Sequence, residues 1–399
     1  MLKFYLKKLK NNLTVFIIKT QKLSSLDITL YIKTGSVYED KKNNGISHLL
    51  EHLLFLKTKQ LELHPIVLDI YPYTRKDFTY FEITTYKDLI NDALSSLFSV
   101  IAFPDFTENN LKIIKKITTE EIMEFYDNPC DVLNQKIDQF LYQKNSLALN
   151  VASSEENLKN ITIANLKEWY KNFYVPSNMI LTLVGDINIS KTIKQINNIF
   201  HFNNLSDRTS KNKKIGKIVY PKTISKPIKL KSSNNFKQTY LTFVFPVSSI
   251  NNSKYTHFIL LAEILNKKIR QKMENSGLFY DIQFCYHHYL NVGEFRIITA
   301  CKKNNTDKII KKIYNFINAI KISDSFFNET KKYIKYQFLL KEDNVDELSS
   351  LSLYLLNNNS KLTTLKDEID KIDSIKFDEI ITIKKKYFNK KNSYHFLMN

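Results

Sequence analysis

The stretch that decides the fold is Asn44-Gly-Ile-Ser-His-Leu-Leu-Glu-His-Leu-Leu-Phe55, in a chain of 399 residues. Its apolar residues recur at the three- to four-residue spacing of a helix, and Gly45 stands where the helix would open, so we predict a helix over residues 44–56. On that helix His48 and His52 are four positions apart and therefore share one face, one turn above each other. The stretch thus places two imidazoles where both can bind a single ion.

The residues around these histidines are those that a catalytic zinc site requires. Two imidazoles one turn apart can both meet a Zn–N distance of about 2.0–2.1 Å. Glu51 is adjacent to His52 and one turn from His48, so its carboxylate can reach the same site. There it would act as a general base toward a water that the metal acidifies. The chemistry predicted is metal-assisted hydrolysis, with Zn²⁺ as the cofactor.

A third protein ligand is expected, because catalytic zinc sites usually combine two histidines with one further residue, often a carboxylate. A second helical pattern, over residues 108–126, offers Glu120, Glu121 and Glu124, and spacing alone does not choose among them. The alternative interpretation is a solvated helix face that binds nothing. Leucines on both sides of the motif favour the metal site, since burying three ionisable groups without partners would be costly.

Composition narrows the class of protein. The chain is 43% hydrophobic and 25% charged, which is typical of a globular protein, and its length predicts two or more domains. A net charge of +19 would suit a phosphate-binding surface. However, the lysines are spread along the whole chain and are not clustered with aromatic residues. Nucleic-acid binding is therefore the least favoured function, and we expect no nucleic-acid partner.

The cysteines and the apolar runs bear on the compartment. Cys130, Cys285 and Cys301 are odd in number and lack CxxC spacing, so a disulfide framework is not expected. A reducing compartment follows: the cytoplasm or, as the alternative, an organelle matrix. No apolar run approaches the roughly 18 residues that a membrane span needs.

The order of predicted elements indicates a duplication. Strands followed by helices occur twice, which predicts an α+β protein of two similar domains. The first is predicted over residues 1–205 and the second over 236–399. Residues 206–235, rich in Ser, Asn and Lys and containing Pro221 and Pro227, are predicted to be a linker.

Taken together, these motifs resemble the pitrilysin family, in particular its short two-domain branch related to the mitochondrial processing peptidase. HxxEH is the inverzincin motif. Its flanks are also similar to the family's: Thr34-Gly-Ser-Val-Tyr-Glu-Asp40 precedes it, and Lys57-Thr58 follows. The resemblance implies a zinc metalloendopeptidase that cleaves unfolded peptides or processing segments. It also implies two domains, each an antiparallel sheet flanked by helices, enclosing a chamber.

The resemblance also implies roles for individual residues. Thr119-Glu-Glu-Ile-Met-Glu-Phe-Tyr-Asp-Asn-Pro129 is similar to the family segment that carries the third ligand, which makes Glu121 that ligand. A peptide would add to a sheet edge near residues 74–81, and a tyrosine of the second domain would hold the substrate carbonyl. The residues so implied are Thr74, Thr79 and Phe81 for substrate binding and Tyr280 for catalysis.

Two departures concern the substrate clamp. The family arginine seven positions before Tyr280 is Met273 here, and Arg270, one turn earlier, is the candidate substitute for substrate binding. The family asparagine of the edge strand is Tyr71. A homodimer, or a heterodimer with a homologous subunit that carries the clamp, would account for an intact metal motif beside an incomplete clamp. The alternative is a non-catalytic or partner-dependent core subunit of a related complex.

Overall fold

A computed structural model of the chain describes residues 2–21, 23–57, 70–201, 218–222, 226–231, 236–247, 254–273, 277–279, 281–289, 292–357 and 364–398. Its strands are β1 Lys3–Lys8, β2 Thr14–Lys19, β3 Ser25–Ile32, β4 Ile70–Thr74, β5 Thr79–Tyr86, β6 Met179–Gly185, β7 Ile228–Leu230, β8 Thr239–Val247, β9 Ile282–Tyr289, β10 Val292–Cys301 and β11 Tyr394–Met398.

The described helices, apart from short 3-10 turns, are α1 Ile46–Leu56, α2 Ile90–Ala102, α3 Glu108–Asp127, α4 Pro129–Tyr142, α5 Glu155–Asn160, α6 Ile163–Phe173, α7 Ile189–Ile199, α8 Tyr255–Met273, α9 Thr306–Ala319, α10 Asp324–Leu340, α11 Val345–Asn357, α12 Leu365–Ser374 and α13 Phe377–Tyr387. The protein is α+β with two sheets, as predicted. None of these helices has the length and apolarity needed to cross a bilayer.

Contacts group the chain into two compact units. Unit 1 comprises Met1–Glu124, Lys144–Gly216 and Leu339–Thr364, and unit 2 comprises Phe125–Gln143, Lys217–Phe338 and Leu365–Asn399. Each unit thus takes one segment from the other half of the chain. The domain boundaries at residues 205 and 236 stay a prediction, and most of the predicted linker lies outside the described residues.

The sheet of unit 1 has the strand order β1-β2-β6-β3-β5-β4. Neighbouring strands are antiparallel, as predicted, except that β2 and β6 are parallel. The central strands β3 and β6 are buried along almost their whole length. Helices α1 and α2 pack on β5, and α6 and α7 pack on these helices in turn, which encloses the apolar core on one face of the sheet.

The opposite face of this sheet is covered by α11, which contacts β2, β3 and β6. Side chains alternate between the faces of a strand, so Asp27 points away from the core that holds Leu26 and Ile28. Oδ1 of Asp27 accepts hydrogen bonds from the hydroxyls of Thr29 and of Ser349 on α11. A helix that follows most of unit 2 in the sequence is therefore fixed to unit 1 by a buried polar contact.

Unit 2 has the strand order β7-β11-β8-β10-β9, antiparallel except for β7 and β11. Helix α4, from the first half of the chain, packs on β8. The guanidinium of Arg296 on β10, 1% exposed, donates to Asn134 and Asp138 of α4 and to Glu294. In each unit, a buried polar side chain therefore holds the helix that comes from the other half of the chain.

Candidate metal centre

Helix α1 carries the predicted motif, and its start is held by a buried carboxylate. Glu39 accepts hydrogen bonds from the backbone N–H groups of Gly45 (2.7 Å) and Ser47 (2.9 Å). These are among the N–H groups that a helix leaves unsatisfied at its first turn. Gly45 has a φ of 94°, and a Cβ there would lie 2.4 Å from that of Ser153. The helix therefore begins where both its backbone conformation and its neighbours require glycine.

The side chains of His48, His52 and Glu121 meet at one point. Nε2 of His52 lies 3.2 Å from Nε2 of His48 and 3.0 Å from Oε2 of Glu121, and the remaining distance, His48 to Glu121, is 3.4 Å. Ligands about 2.05 Å from a zinc ion at tetrahedral angles would be about 3.3 Å apart. All three spacings match this value, so the donor set fits the metal that the motif predicts.

The structure brings only one of the three candidate glutamates to this point. Glu120 and Glu124 are exposed on α3, whereas Oε2 of Glu121 is directed at both histidines. Among the described residues, the potential metal ligands whose donor atoms lie close enough together to share one ion are His48, His52 and Glu121.

Burial and the neighbouring charges shift the pKa values of these groups. Burial, with the neighbouring His52, lowers the pKa of His48 to about 4, so its imidazole is neutral at pH 7. Burial opposes a charge on His52, but its hydrogen bond to Glu121 and the nearby carboxylates outweigh this and raise its pKa. Burial likewise opposes ionisation of Glu121, but both histidines outweigh it and lower the pKa of that carboxyl. Glu121 therefore supplies a negative charge to the site.

Glu51 lies beside the three converging side chains and is 4% exposed. Burial raises the pKa of its carboxyl to about 7. The hydroxyl of Thr74, on β4, donates to its Oε2 at 2.9 Å. A carboxyl whose pKa lies near neutrality is suited to both accepting and returning a proton.

The structure places the predicted substrate-binding residues of unit 1 differently from the sequence prediction. The outermost described strand at this side of the sheet is β4, whereas β5 pairs with both β3 and β4 and is interior. Thr79 and Phe81 lie on β5 and are fully buried, and Thr74 is 7% exposed. Among the described strands, the edge therefore falls at residues 70–74, and the side chains of Thr79 and Phe81 are covered by the protein itself.

The predicted clamp residues belong to the part of the chain grouped in unit 2. Arg270 is exposed on α8, with its guanidinium 3.9 Å from the carboxylate of Asp281. Met273, at the position of the family arginine, is 2% exposed and belongs to the unit's core. Tyr280 lies outside the described residues, so its predicted role stays a prediction.

Two residues that hold the site were not among the predicted ones. Glu39 caps α1, and its signal was an acidic residue shortly before a predicted helix start. Lys76, at the tip of the β4–β5 hairpin, donates from Nζ to the carbonyls of Leu147 (2.6 Å) and Leu149 (3.2 Å). No local pattern marks this lysine, because its partners are far away in the sequence.

Models of known protein families match most of the chain. Residues 14–155 match the family model described as insulinase, peptidase family M16, and residues 160–353 match the peptidase M16 inactive domain. An uncharacterized zinc protease, YmxG of Bacillus subtilis, is 23% identical over 89% of this chain and 85% of its own. An uncharacterized zinc protease of Rickettsia felis is 24% identical, covering 97% and 95%. The beta subunit of the human mitochondrial-processing peptidase is 25% identical over 45% of this chain and 38% of its own.

Solved structures share the fold. A protease from Helicobacter pylori superimposes with a TM-score of 0.86 at 17% identity, covering 100% of both chains. A chain of complex III2 from Candida albicans gives a TM-score of 0.81 at 15% identity, covering 99% of this chain and 95% of that one. At these identities the likeness establishes the architecture and leaves the chemistry to the residues of the site.

Proposed function

Since the chain belongs to the pitrilysin (M16) family of peptidases, we propose that it is a zinc-dependent endopeptidase acting on unfolded peptides. The observation that carries this proposal is the convergence of His48, His52 and Glu121 at mutual distances of 3.0–3.4 Å, with Glu51 beside them. The names of the full-length bacterial relatives support zinc as the metal.

In this proposal His48, His52 and Glu121 hold the zinc ion. When bound, zinc supplies a Lewis acid that polarises a peptide carbonyl and makes water a better nucleophile at neutral pH. Glu51 accepts the proton that the attacking water loses and later delivers it to the amine that leaves. Neutral His48 keeps its nitrogen lone pair available, and ionised Glu121 adds the charge that favours a cation.

The substrate would add to the edge of the unit 1 sheet. Strand β4 is outermost among the described strands and lies next to helix α1, so its backbone is available to an extended peptide. Hydrogen bonds to a backbone edge give affinity without strong sequence preference. We propose that residues 70–74 align the peptide beside Glu51 and that Tyr280 contacts the scissile carbonyl.

A homologous partner would complete the clamp. Because Met273 is buried and Arg270 is one turn away, this chain has no described arginine at the family position. The relative named as the beta subunit of a mitochondrial-processing peptidase suggests pairing with a second chain. The buried Met273 equally favours a second candidate, a core subunit that does not cleave. Peptide hydrolysis, measured with and without a homologous partner, distinguishes the two candidates.

The test is hydrolysis of a quenched, unstructured peptide by the purified chain, alone and with candidate homologous chains from the same source. Chelation should abolish cleavage, zinc should restore it, and Glu51→Gln should abolish it while leaving zinc bound. Glu120→Gln, an exposed neighbour of the ligand, is the matched control and should cleave normally. A chain that binds zinc and cleaves nothing, with or without a partner, would support the non-catalytic core subunit. Failure to bind zinc would refute the proposed centre.

A further inference from the structure

Thr74 lies where its hydroxyl contacts the carboxyl group of Glu51 and no metal ligand. Its Oγ1 donates to Oε2 of Glu51 at 2.9 Å. Oε1 has no hydrogen-bond partner among the described residues, so the two oxygens of the carboxylate differ in their surroundings. Thr74 is 7% exposed, and its side chain points into the protein toward α1.

A second hydroxyl stands behind the first. Oγ1 of Thr79 lies 3.2 Å from Oγ1 of Thr74, and both side chains are buried. A hydroxyl has one proton to donate, and that of Thr74 goes to Glu51. Thr74 can therefore only accept in its contact with Thr79. The single proton of Thr79 has two acceptors within reach, Oγ1 of Thr74 at 3.2 Å and the carbonyl oxygen of Thr34 at 3.4 Å. When it points to the nearer one, the two threonines donate in series toward the carboxylate, and hydrogen bonds arranged in series strengthen one another.

The backbone that carries this chain is held independently of the metal ligands. A Cβ on Gly35 would lie 2.3 Å from the carbonyl oxygen of Arg75, so the β4–β5 hairpin rests directly on that glycine. The N–H of Val37 donates to the carbonyl of Lys76 at 2.9 Å. The Lys76 ammonium is in turn fixed to two carbonyls after α4. The hairpin that carries Thr74 is thus held by contacts that involve none of the three metal ligands.

We propose that Thr74 is a positioning residue that gives the two oxygens of Glu51 different tasks, with Thr79 holding Thr74 in its donor orientation. Oε2 stays bonded to Thr74. Oε1 accepts the proton from water and returns it to the nitrogen of the leaving amine, and Thr74 itself gains and loses no proton. This inference rests on the proposed role of Glu51 as general base. It reassigns Thr74 and Thr79, which the sequence predicts as substrate-binding residues, to the support of the base.

The alternative is that these hydroxyls only satisfy one another in a buried strand. Strand β5, which carries Thr79, contains a suitable comparison. Its Thr85 is 2% exposed, and the hydroxyl of Thr85 has no hydrogen-bond partner among the described residues. Thr85→Val therefore removes a buried hydroxyl from the same strand without touching Glu51. It is the matched control for the variants of Thr74 and Thr79.

The kinetic test compares Thr74→Val, which keeps the shape and removes the donor, with Thr74→Ser, which keeps the donor. We expect Thr74→Val to lower kcat about 10- to 100-fold, because a hydrogen bond to a charged group is lost. KM should stay within about twofold, since no substrate contact changes. Thr74→Ser should restore most of kcat, Thr79→Val should give a smaller loss, and Thr85→Val should behave as wild type. Wild-type kcat in Thr74→Val, or a loss not rescued by serine, would overturn the inference.

Two further measurements do not depend on turnover. Zinc affinity should be unchanged in Thr74→Val, because its hydroxyl touches no ligand, and a parallel loss of zinc would mean a general disturbance of the site. In chelated protein, Thr74→Val should lower the unfolding midpoint of the wild type but not of Glu51→Ala, in which the hydrogen-bond partner is already gone. Equal effects in both backgrounds would refute the contact itself. If the wild type cleaves nothing while this coupling is present, the proposed function fails and the catalytic task of Thr74 fails with it, although the contact stands.

Discussion

Oε2 of Glu121 lies 3.0 Å from Nε2 of His52, although 69 positions of sequence separate the two residues. One belongs to α3 and the other to α1, so the metal centre exists only when both helices have joined the same apolar core. The exposed glutamates on either side of Glu121 provide a direct comparison.

We expect Glu121→Gln to weaken zinc binding at least about a hundredfold, because even groups that merely support zinc ligands alter affinity by 10- to 100-fold. Glu120→Gln and Glu124→Gln, which remove the same charge from the same helix, should leave the affinity within about twofold. Competition with a chromogenic chelator measures all three. Equal weakening by the three variants would mean that α3 contributes only a general negative field.

The buried Asp27 predicts how the stability of unit 1 depends on pH. Burial, together with the charge of Glu82, raises the pKa of Asp27 well above its usual value. In the unfolded chain this carboxyl ionises with a pKa of about 3.9. The folded state therefore holds a proton that the unfolded state has released. The stability linked to it is fully present below about pH 3.9 and is lost as the pH rises through the raised pKa of the folded state.

Asp27→Asn should therefore stabilise unit 1 at pH 7 relative to the wild type and should flatten the pH dependence between pH 4 and pH 8. The amide oxygen still accepts from Thr29 and Ser349, while the charge is gone. Trp169, the only tryptophan of the chain, is buried in unit 1, so its fluorescence during urea unfolding reports this unit. The exposed Asp92→Asn is the control. An Asp27→Asn variant whose stability relative to the wild type did not rise between pH 4 and pH 8 would contradict the prediction.

Gly35→Ala should destabilise unit 1 by about 3 kcal/mol, because a methyl group would collide with backbone that cannot rotate away. The new Cβ would lie 2.3 Å and 2.6 Å from the carbonyl oxygens of Arg75 and Lys76. Urea unfolding followed by Trp169 fluorescence gives the free energy. The comparison is Gly277→Ala in unit 2, which has a φ of 62° but open space around it. It should leave the Trp169 transition unchanged.

Met273→Arg tests whether an arginine at this position is enough to complete the substrate clamp. Met273 is 2% exposed, so an arginine there would bury a charge without a partner. We expect no gain of peptidase activity and a lower unfolding midpoint in the far-ultraviolet circular dichroism signal, with the Trp169 transition unaffected. Lys272→Arg, one position earlier and exposed, is the control. A stable Met273→Arg variant with raised activity would mean that only this side chain separates the chain from a complete clamp.

Local features of this protein are predictable from its sequence because their partners are close in the chain. The HxxEH spacing depends on helix geometry alone, and the helix predicted over residues 44–56 is found as Ile46–Leu56. The helix predicted over 108–126 is found as Glu108–Asp127. Helix α4 is not among the predicted helices, because a proline commonly ends the helix before it. Pro129 ends α3 and also occupies the first turn of α4, where its missing N–H costs nothing.

The contacts that determine the roles of Thr74 and Asp27 are not local. Thr74 on β4 meets Glu51 on α1 across 23 positions, and Asp27 meets Ser349 across 322 positions. In both cases the role of a common residue type depends on a partner that no sequence-spacing rule identifies. The interior position of β5, with β4 outside it, likewise depends on the order of the strands in the sheet. The alternation of apolar and polar residues within one strand does not reveal that order. The sequence therefore predicts the ligands well and the residues that support them poorly.

The exchange of helical segments also affects how the protein is made on the ribosome. Every strand of the unit 1 sheet has been synthesised once Gly185 has left the exit tunnel, but the Asp27 face of the sheet stays open until Ser349 follows it. At typical translation speeds of about 5–20 residues per second, that interval lasts on the order of ten seconds or more. We therefore expect the nascent unit 1 to present an uncovered sheet face during that time and to bind a chaperone.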